Sequence, residues 1–122
     1  MHLLTLYHWS PSGRYHSITA LGLLTGQEPV MCSQPYPYIC ASPDPRTAWN
    51  LCAALADEFG VELPGGGWDL WAIAVADSDE LHVRPEFGPA IAEVQIRNAI
   101  PVHRVWWVGR RHVTGSPAGL CR

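Results

Sequence analysis

The 122-residue chain contains no lysine, few charged residues and no long hydrophobic run. Its hydrophobic stretches all fall short of the ~20 residues that a membrane-spanning helix needs, which excludes such a helix. Charged residues make up 16% of the chain and hydrophobic residues 48%, a balance that excludes an intrinsically disordered protein. The amino terminus, Met1-His2, lacks the basic stretch that opens a secretory signal peptide. We therefore expect a cytoplasmic protein that makes no membrane contact.

Metal-binding and disulfide motifs are also missing. The spacings of the four cysteines match neither a zinc motif nor a disulfide scaffold. These cysteines are Cys32, Cys40, Cys52 and Cys121. The six histidines are scattered, and none has a second histidine at helix-face spacing beside an acid. We therefore expect reduced thiols and no metal cofactor.

Acidic residues are absent after Glu93. All 11 acids and three of the eight arginines lie in residues 1–93, whereas residues 94–122 contain the other five arginines. An uneven charge of this kind indicates an anionic ligand or partner for the C-terminal part, or else an arginine-rich surface that is only solvated.

Glycine and proline, at 11 residues each, favour short elements and many turns over a helical bundle. Hydrophobic periodicity predicts two helices and six strands in the order β-α-β-α-β-β-β-β, which is an α+β fold with a largely antiparallel sheet. The predicted strands cover residues 2–9, 38–41, 68–76, 81–84, 90–97 and 102–108. We expect a single domain over residues 1–114 and a flexible C-terminal tail over residues 115–122.

Both predicted helices have start and stop signals. Ser10-Pro11 predicts the first helix, because serine caps a helix and proline is preset for its first turn; Gly22 ends it. The second helix follows Ser42 or Asp44, each of which precedes a proline, and it ends at Gly60.

Two short segments carry residues suited to chemistry. Glu93 stands in a strand of alternating hydrophobicity, where its side chain either faces water or lines a cleft. His8 and Ser10 stand two residues apart where the first strand turns into a helix. Such a junction can direct both side chains and a backbone amide into one pocket. Neither segment identifies a reaction by itself.

Three segments carry a family pattern when they are taken together. LYHWSPSGRYHSITALGLL places a His-x-Ser strand end before a helix and a Gly-Leu pair, YICAS precedes Asp44 and a helix, and AEVQIRNAIPVHRVWWVG places a glutamate at the head of a late strand. In this order, the segments resemble the ADP-ribosyltransferase domains of the diphtheria-toxin/PARP class. From residue 6 to residue 109 they span most of the chain, and they look most like small prokaryotic and phage transferases of the DarT or rifampicin-modifying kind.

The resemblance implies a split antiparallel sheet with two main helices and with NAD, the co-substrate, in the cleft between the half-sheets. Glu93 would accept a hydrogen bond from the ribose hydroxyl, stabilise the oxocarbenium-like transition state and help to deprotonate the acceptor. His8 would bind the adenosine ribose, while the Trp9 backbone and the Ser10 hydroxyl would hold the carboxamide. Tyr38 would stack on nicotinamide.

The tyrosine position departs from the family pattern. An ungapped match places Cys40 there, whereas Tyr38 shares its strand face two residues earlier, and Tyr36 is a further candidate. Arg14 and Arg46, each near a helix start, could contact the phosphates of NAD or be surface charges.

The implied activity is transfer of ADP-ribose from NAD to a host macromolecule, with NAD hydrolysis as a side reaction. A protein acceptor is favoured over nucleic acid, because eight arginines and a net charge of −3 make a poor non-specific nucleic-acid binder. The residues expected to bind the acceptor are Gln95, Arg97, Arg110 and Arg111. The size suits a toxin, a defence effector or a phage-encoded inhibitor. The alternatives are an inactive relative that only binds a protein or nucleic-acid partner, and an RNA 2′-phosphotransferase-like enzyme.

Overall fold

The computed structural model describes residues 4–26, 37–54, 66–84 and 93–112, apart from the side chains of Cys52 and Arg84. Within these residues the strands are β1 (Leu4–Pro11), β2 (Ile39–Ala41), β3 (Gly67–Val75), β4 (Leu81–Arg84), β5 (Glu93–Ile96) and β6 (Val105–His112). The helices are α1 (Tyr15–Leu21) and α2 (Pro45–Cys52), with 3₁₀ turns at Ser12–Arg14 and Val102–Arg104. None of the helices in these ranges is long and apolar enough to cross a membrane.

The strands form two antiparallel sheets of three strands each. The first sheet has the order β1-β3-β6 and the second has the order β2-β5-β4. A single bridge between Tyr7 and Ser42 connects β1 to the end of β2. This architecture confirms the predicted α+β class and the antiparallel pairing.

The hydrophobic core joins the two sheets. Alternation along each strand directs one face inward, because successive side chains of a strand point to opposite faces. The first sheet contributes Leu6, Trp71, Ile73 and Val75, and the second contributes Ile39, Ala41, Val94 and Ile96. Ile18 of α1 packs into the same core. The opposite face of the second sheet therefore carries the intervening residues Cys40, Glu93 and Gln95.

The start of the first helix differs from the prediction. Ser10 and Pro11 do not cap a helix; they are the last residues of β1 and pair with Asp69 and Trp68 of β3. A 3₁₀ turn follows, and α1 begins only at Tyr15. Pairing of β1 with β3 therefore overrides the local Ser-Pro signal, because it provides hydrogen-bond partners for the backbone groups along the edge of β1 that faces β3.

The end of the first helix is as predicted. Gly22 follows α1 with a φ of +80°, a conformation that glycine adopts without a steric penalty. A Cβ at this position would lie 2.0 Å from the carbonyl oxygen of Ile100. The close approach allows Leu23 to pair with Ile100 through two backbone hydrogen bonds.

Asp44, rather than Ser42, caps the second helix. Its Oδ2 accepts hydrogen bonds from the backbone N–H and the hydroxyl of Thr47, both at 2.9 Å, and Pro45 occupies the first helical turn. The backbone hydrogen bond from Thr47 is the main reason why the pKa of Asp44 lies below its usual value. The predicted continuation of this helix to Gly60 lies outside the described residues beyond Ala54.

The last strand is shifted from its predicted position. Residues 102–104 form a 3₁₀ turn, closed by a hydrogen bond from the N–H of Arg104 to the carbonyl of Pro101, and β6 continues to His112. Pairing of His112 with Gly67 extends the strand beyond the hydrophobic run that predicted it. Of the predicted strand over residues 90–97, β5 contains residues 93–96, and residues 90–92 lie outside the described part, as does the tail.

Candidate functional site

The two sheets separate immediately after the bridge between Tyr7 and Ser42. These residues exchange two backbone hydrogen bonds, of 2.7 and 3.0 Å. In a continued antiparallel ladder the next hydrogen-bonded pair would be Trp9 and Cys40. The imidazole of His8 takes that place instead, with its Nδ1 at 2.6 Å from the carbonyl oxygen of Cys40. Because a carbonyl oxygen only accepts, Nδ1 carries the proton.

The backbone of Trp9 points into the opening between β1 and β2. Alternate residues of a strand direct their N–H and C=O groups to the same edge, and Tyr7 directs its groups to β2. The side chain of Trp9 is anchored on α2: its indole Nε1 donates to the carbonyl of Pro45 at 3.0 Å, and its ring lies 4.9 Å from that of Trp49, edge to face. These contacts hold the Trp9 backbone in place at the edge.

Glu93 is the first residue of β5, the strand that lies next to β2 in the second sheet. Its side chain is buried, with 8% of the residue surface exposed. The thiol of Cys40 donates a hydrogen bond to its Oε2, at an Sγ–O distance of 3.0 Å. Cys40 is therefore hydrogen-bonded to His8 through its carbonyl and to Glu93 through its thiol. We call these three residues the His8–Cys40–Glu93 cluster.

The structure thus brings together the strand-end histidine and the late-strand glutamate that the sequence singled out. Cys40 contacts Glu93. Tyr38 precedes β2 instead of belonging to it, and Tyr36 lies outside the described residues. Cys40 is the residue that the ungapped match placed at the tyrosine position of the family pattern.

Gln95 and Arg97 continue the polar face of β5 beyond Glu93. Gln95 pairs with Cys40 in register and is 1% exposed. Its Oε1 accepts a hydrogen bond of 2.6 Å from Nη2 of Arg97. The guanidinium carbon of Arg97 lies 5.8 Å from the centre of the Tyr38 ring, within cation–π range. Arg97 is therefore held between Gln95 and Tyr38, on the face of the second sheet that carries Glu93.

The remaining predicted NAD-binding residues lie on the first sheet and at the helix starts. Ser10 shares a face of β1 with His8 and is 1% exposed, so its hydroxyl is buried next to β3. Arg14 directly precedes α1 and is half-buried. Arg46 lies in the first turn of α2 and is exposed beside Asp44.

Arg110 and Arg111 do not form a common acceptor-binding surface. They lie within β6 instead of leaving it, and they point to opposite faces of the first sheet. Arg110 binds Asp69 with two hydrogen bonds, of 2.6 Å from Nε and 3.2 Å from Nη2. The guanidinium of Arg111 stacks 3.9 Å from the centre of the Trp49 ring.

Asp69 is the buried charge that sequence reasoning missed. It is completely buried, and it also accepts a hydrogen bond of 3.0 Å from the Ser12 hydroxyl. The hydrogen bond to Asp69 raises the pKa of Arg110 above its usual value. The only sequence signal was an acid inside a hydrophobic strand, without any indication of its distant partner.

Arg104 is likewise paired with an acid from the N-terminal part of the chain. Its Nη1 lies 2.5 Å from Oδ2 of Asp79, and this hydrogen bond is the main cause that lowers the pKa of Asp79 to about 2. Two of the five C-terminal arginines are therefore neutralised by the fold. The excess of arginine in the C-terminal part is therefore weaker evidence for an anionic partner than the sequence alone suggested.

Within the described ranges, no group of three or more His, Cys, Asp or Glu side chains is arranged to hold a metal ion. Comparison of the chain with protein-family models, with curated proteins and with solved structures gives no match.

Proposed function

We propose that the protein is an NAD-dependent mono-ADP-ribosyltransferase that modifies a host macromolecule. One observation carries the proposal: the His8–Cys40–Glu93 cluster lies where the two half-sheets separate. The resemblance in sequence implied a histidine and a glutamate on either side of such a cleft. The split sheet is compatible with the ADP-ribosyltransferase fold that the resemblance implied.

Glu93 has the properties that the reaction needs. Cleavage of the nicotinamide–ribose bond develops positive charge at the ribose C1′, and a carboxylate held beside it stabilises the transition state more than the ground state. Glu93 is nearly buried, and a charge in such a site interacts more strongly than one in water. Glu93 is the first residue of β5, the central strand of the second sheet, and its Oε2 lies 3.0 Å from the thiol of Cys40 on β2, the strand next to the opening.

The edge of β1 fits the nicotinamide end of NAD. A primary carboxamide carries an N–H donor and a carbonyl acceptor, and the Trp9 backbone presents one acceptor and one donor toward the opening. His8 lies beside it with a defined tautomer, protonated on Nδ1. In the proposed complex, His8 binds the adenosine ribose, the Trp9 backbone and Ser10 hold the carboxamide, and Tyr38 stacks on the ring. Arg14 and Arg46 contact the phosphates.

The acceptor is expected beside Gln95 and Arg97. Arg97 lies close to the face that carries Glu93, because Oε1 of Gln95 accepts a hydrogen bond of 2.6 Å from its guanidinium. A protein with an acidic patch is the acceptor that such a cation would favour, consistent with a toxin, a defence effector or a phage-encoded inhibitor.

The direct test is release of nicotinamide from NAD by the purified protein, with and without a lysate as acceptor source. We expect release by the wild type and by Glu80→Gln, which removes an exposed carboxylate elsewhere. Glu93→Gln should abolish it, and a mass adduct of ADP-ribose should identify the acceptor. NAD binding without release under any condition would indicate an inactive relative instead. If NAD is neither bound nor cleaved, the proposal is wrong.

A further inference from the structure

Cys40 connects both sides of the proposed cleft through two different groups. Its carbonyl accepts the hydrogen bond from Nδ1 of His8 at 2.6 Å, and its thiol donates to Oε2 of Glu93 at 3.0 Å. Glu93 is diagonally opposite Cys40 on the same face, because Cys40 pairs with Gln95 and Glu93 precedes Gln95 by two residues. A short side chain at this position can therefore reach the carboxylate without occupying the opening.

We propose that Cys40 is a positioning residue for Glu93: its protonated thiol orients the carboxylate toward the cleft, while its carbonyl orients the His8 ring. This inference rests on the proposed transferase function. It gives Cys40 a role toward the glutamate, and the stacking on nicotinamide stays with a tyrosine; of the two candidates, Tyr36 and Tyr38, Tyr38 lies within the described ranges.

The chemistry of the pair determines the protonation state of the thiol. A carboxylate has only acceptors, so the hydrogen of this contact must come from sulfur. A thiolate 3.0 Å from a carboxylate would place two negative charges together in a nearly buried site, which is strongly unfavourable. Cys40 therefore acts as a neutral donor and not as a nucleophile, since only the thiolate is nucleophilic.

Kinetics of NAD hydrolysis test the positioning role. We expect Cys40→Ala to lower kcat by roughly tenfold to a hundredfold, because a misplaced catalytic group costs on this scale, while KM for NAD changes less than about twofold. Cys40→Ser retains a hydrogen-bond donor and should return kcat to within about threefold of the wild type. Wild-type kcat in Cys40→Ala would overturn the inference. A higher KM with unchanged kcat would also do so, because it would place Cys40 on NAD instead.

The reactivity of the thiol tests the contact without using enzyme activity. Alkylation of Cys40 by iodoacetamide at pH 7.5, followed on its peptide by mass spectrometry, reports the thiolate fraction and its accessibility. Glu93→Gln removes the negative charge and should raise the alkylation rate several-fold, whereas Glu80→Gln, the same change at an exposed position, should leave it unchanged. Equal rates in the wild type and in Glu93→Gln would exclude the charged contact, even if Cys40→Ala did not fold.

The two measurements separate failure of the inference from failure of the proposed function. If the wild type releases no nicotinamide but the alkylation rate responds to Glu93→Gln, the transferase function is wrong and the Cys40–Glu93 contact stands without a catalytic role. If the wild type is active and neither kcat nor alkylation responds, the function stands and the role of Cys40 is wrong.

Discussion

The strands of the first sheet have eight, nine and eight residues, whereas those of the second have three, four and four. Each sheet buries a carboxylate. In the first, Asp69 binds Arg110 and Ser12, and this network ties β3 to β6 and to the turn before α1. In the second, Glu93 of the central strand β5 accepts a hydrogen bond from the thiol of Cys40 on β2.

The comparison shows that a buried carboxylate has a different role in each of the two sheets. A buried carboxylate that binds a guanidinium with two hydrogen bonds holds strands together, and removal of either partner leaves an uncompensated charge. In the proposed function, the buried carboxylate of Glu93 instead acts on a bound ligand. His8 belongs to the first sheet but contacts the second, so the cluster depends on the relative position of the two sheets.

The largest contrast is expected from matched substitutions of the two buried carboxylates. Glu93→Gln should lower nicotinamide release by 10²-fold or more, the scale of lost electrostatic stabilisation, with little change in the thermal midpoint. Asp69→Asn should lower the thermal midpoint clearly, because Arg110 and Ser12 lose a charged partner in the core of the sheet. Calorimetry and an activity assay on both variants check this. Similar losses of stability in both would remove the distinction between the sheets.

A second contrast lies within the first sheet, between two neighbouring arginines. Arg110→Glu should destabilise the fold strongly, since it places a second carboxylate beside the fully buried Asp69. Arg111→Glu should have a much smaller effect, because Arg111 is exposed and loses a cation–π contact with the Trp49 ring instead of a bond to a fully buried charge. Chemical denaturation of the two variants measures the difference. Equal stability would mean that the Asp69–Arg110 pair does not support the sheet.

The contribution of the first sheet to ligand binding is tested at His8 and Ser10. His8→Ala should weaken NAD binding more than it lowers kcat, because its proposed role is to hold the distal ribose. Ser10→Ala should cost about 0.5–1.5 kcal/mol of NAD-binding free energy, the value of one hydrogen bond. Titration calorimetry with NAD measures both. Wild-type affinity in both variants would place the NAD site elsewhere.

The smallest expected effect concerns the turn between β3 and β4, which lies outside both sheets. Hydrogen bonding from Arg104 lowers the pKa of Asp79 from 3.8 to about 2, so the ionised carboxylate stabilises the folded state. This contribution is complete above pH 4 and is lost as the pH falls toward 2. The free energy of unfolding should therefore decrease over this range by less in Asp79→Asn than in the wild type. Asp77→Asn, in the same turn but exposed, should retain the wild-type dependence.

Sequence signals for the ends of helices were reliable where the backbone itself requires that residue type. Gly22 ends α1 because a Cβ would collide with the carbonyl of Ile100, and Asp44 caps α2 through Thr47. The order of strands and helices follows from hydrophobic periodicity, and so does the antiparallel α+β class. His8 and Glu93 were singled out by their positions in predicted strands together with the resemblance to the ADP-ribosyltransferase class.

The sequence by itself determined which segments become strands and helices, since periodicity and capping act over a few residues. Tertiary structure alone decided that Ser10 extends a strand, that the thiol of Cys40 contacts Glu93, and that Arg104 and Arg110 are neutralised by Asp79 and Asp69. Each of these outcomes depends on residues at least 25 positions apart in the chain. Their pairing is set by sheet register, and a register is a property of two strands that neither strand specifies alone.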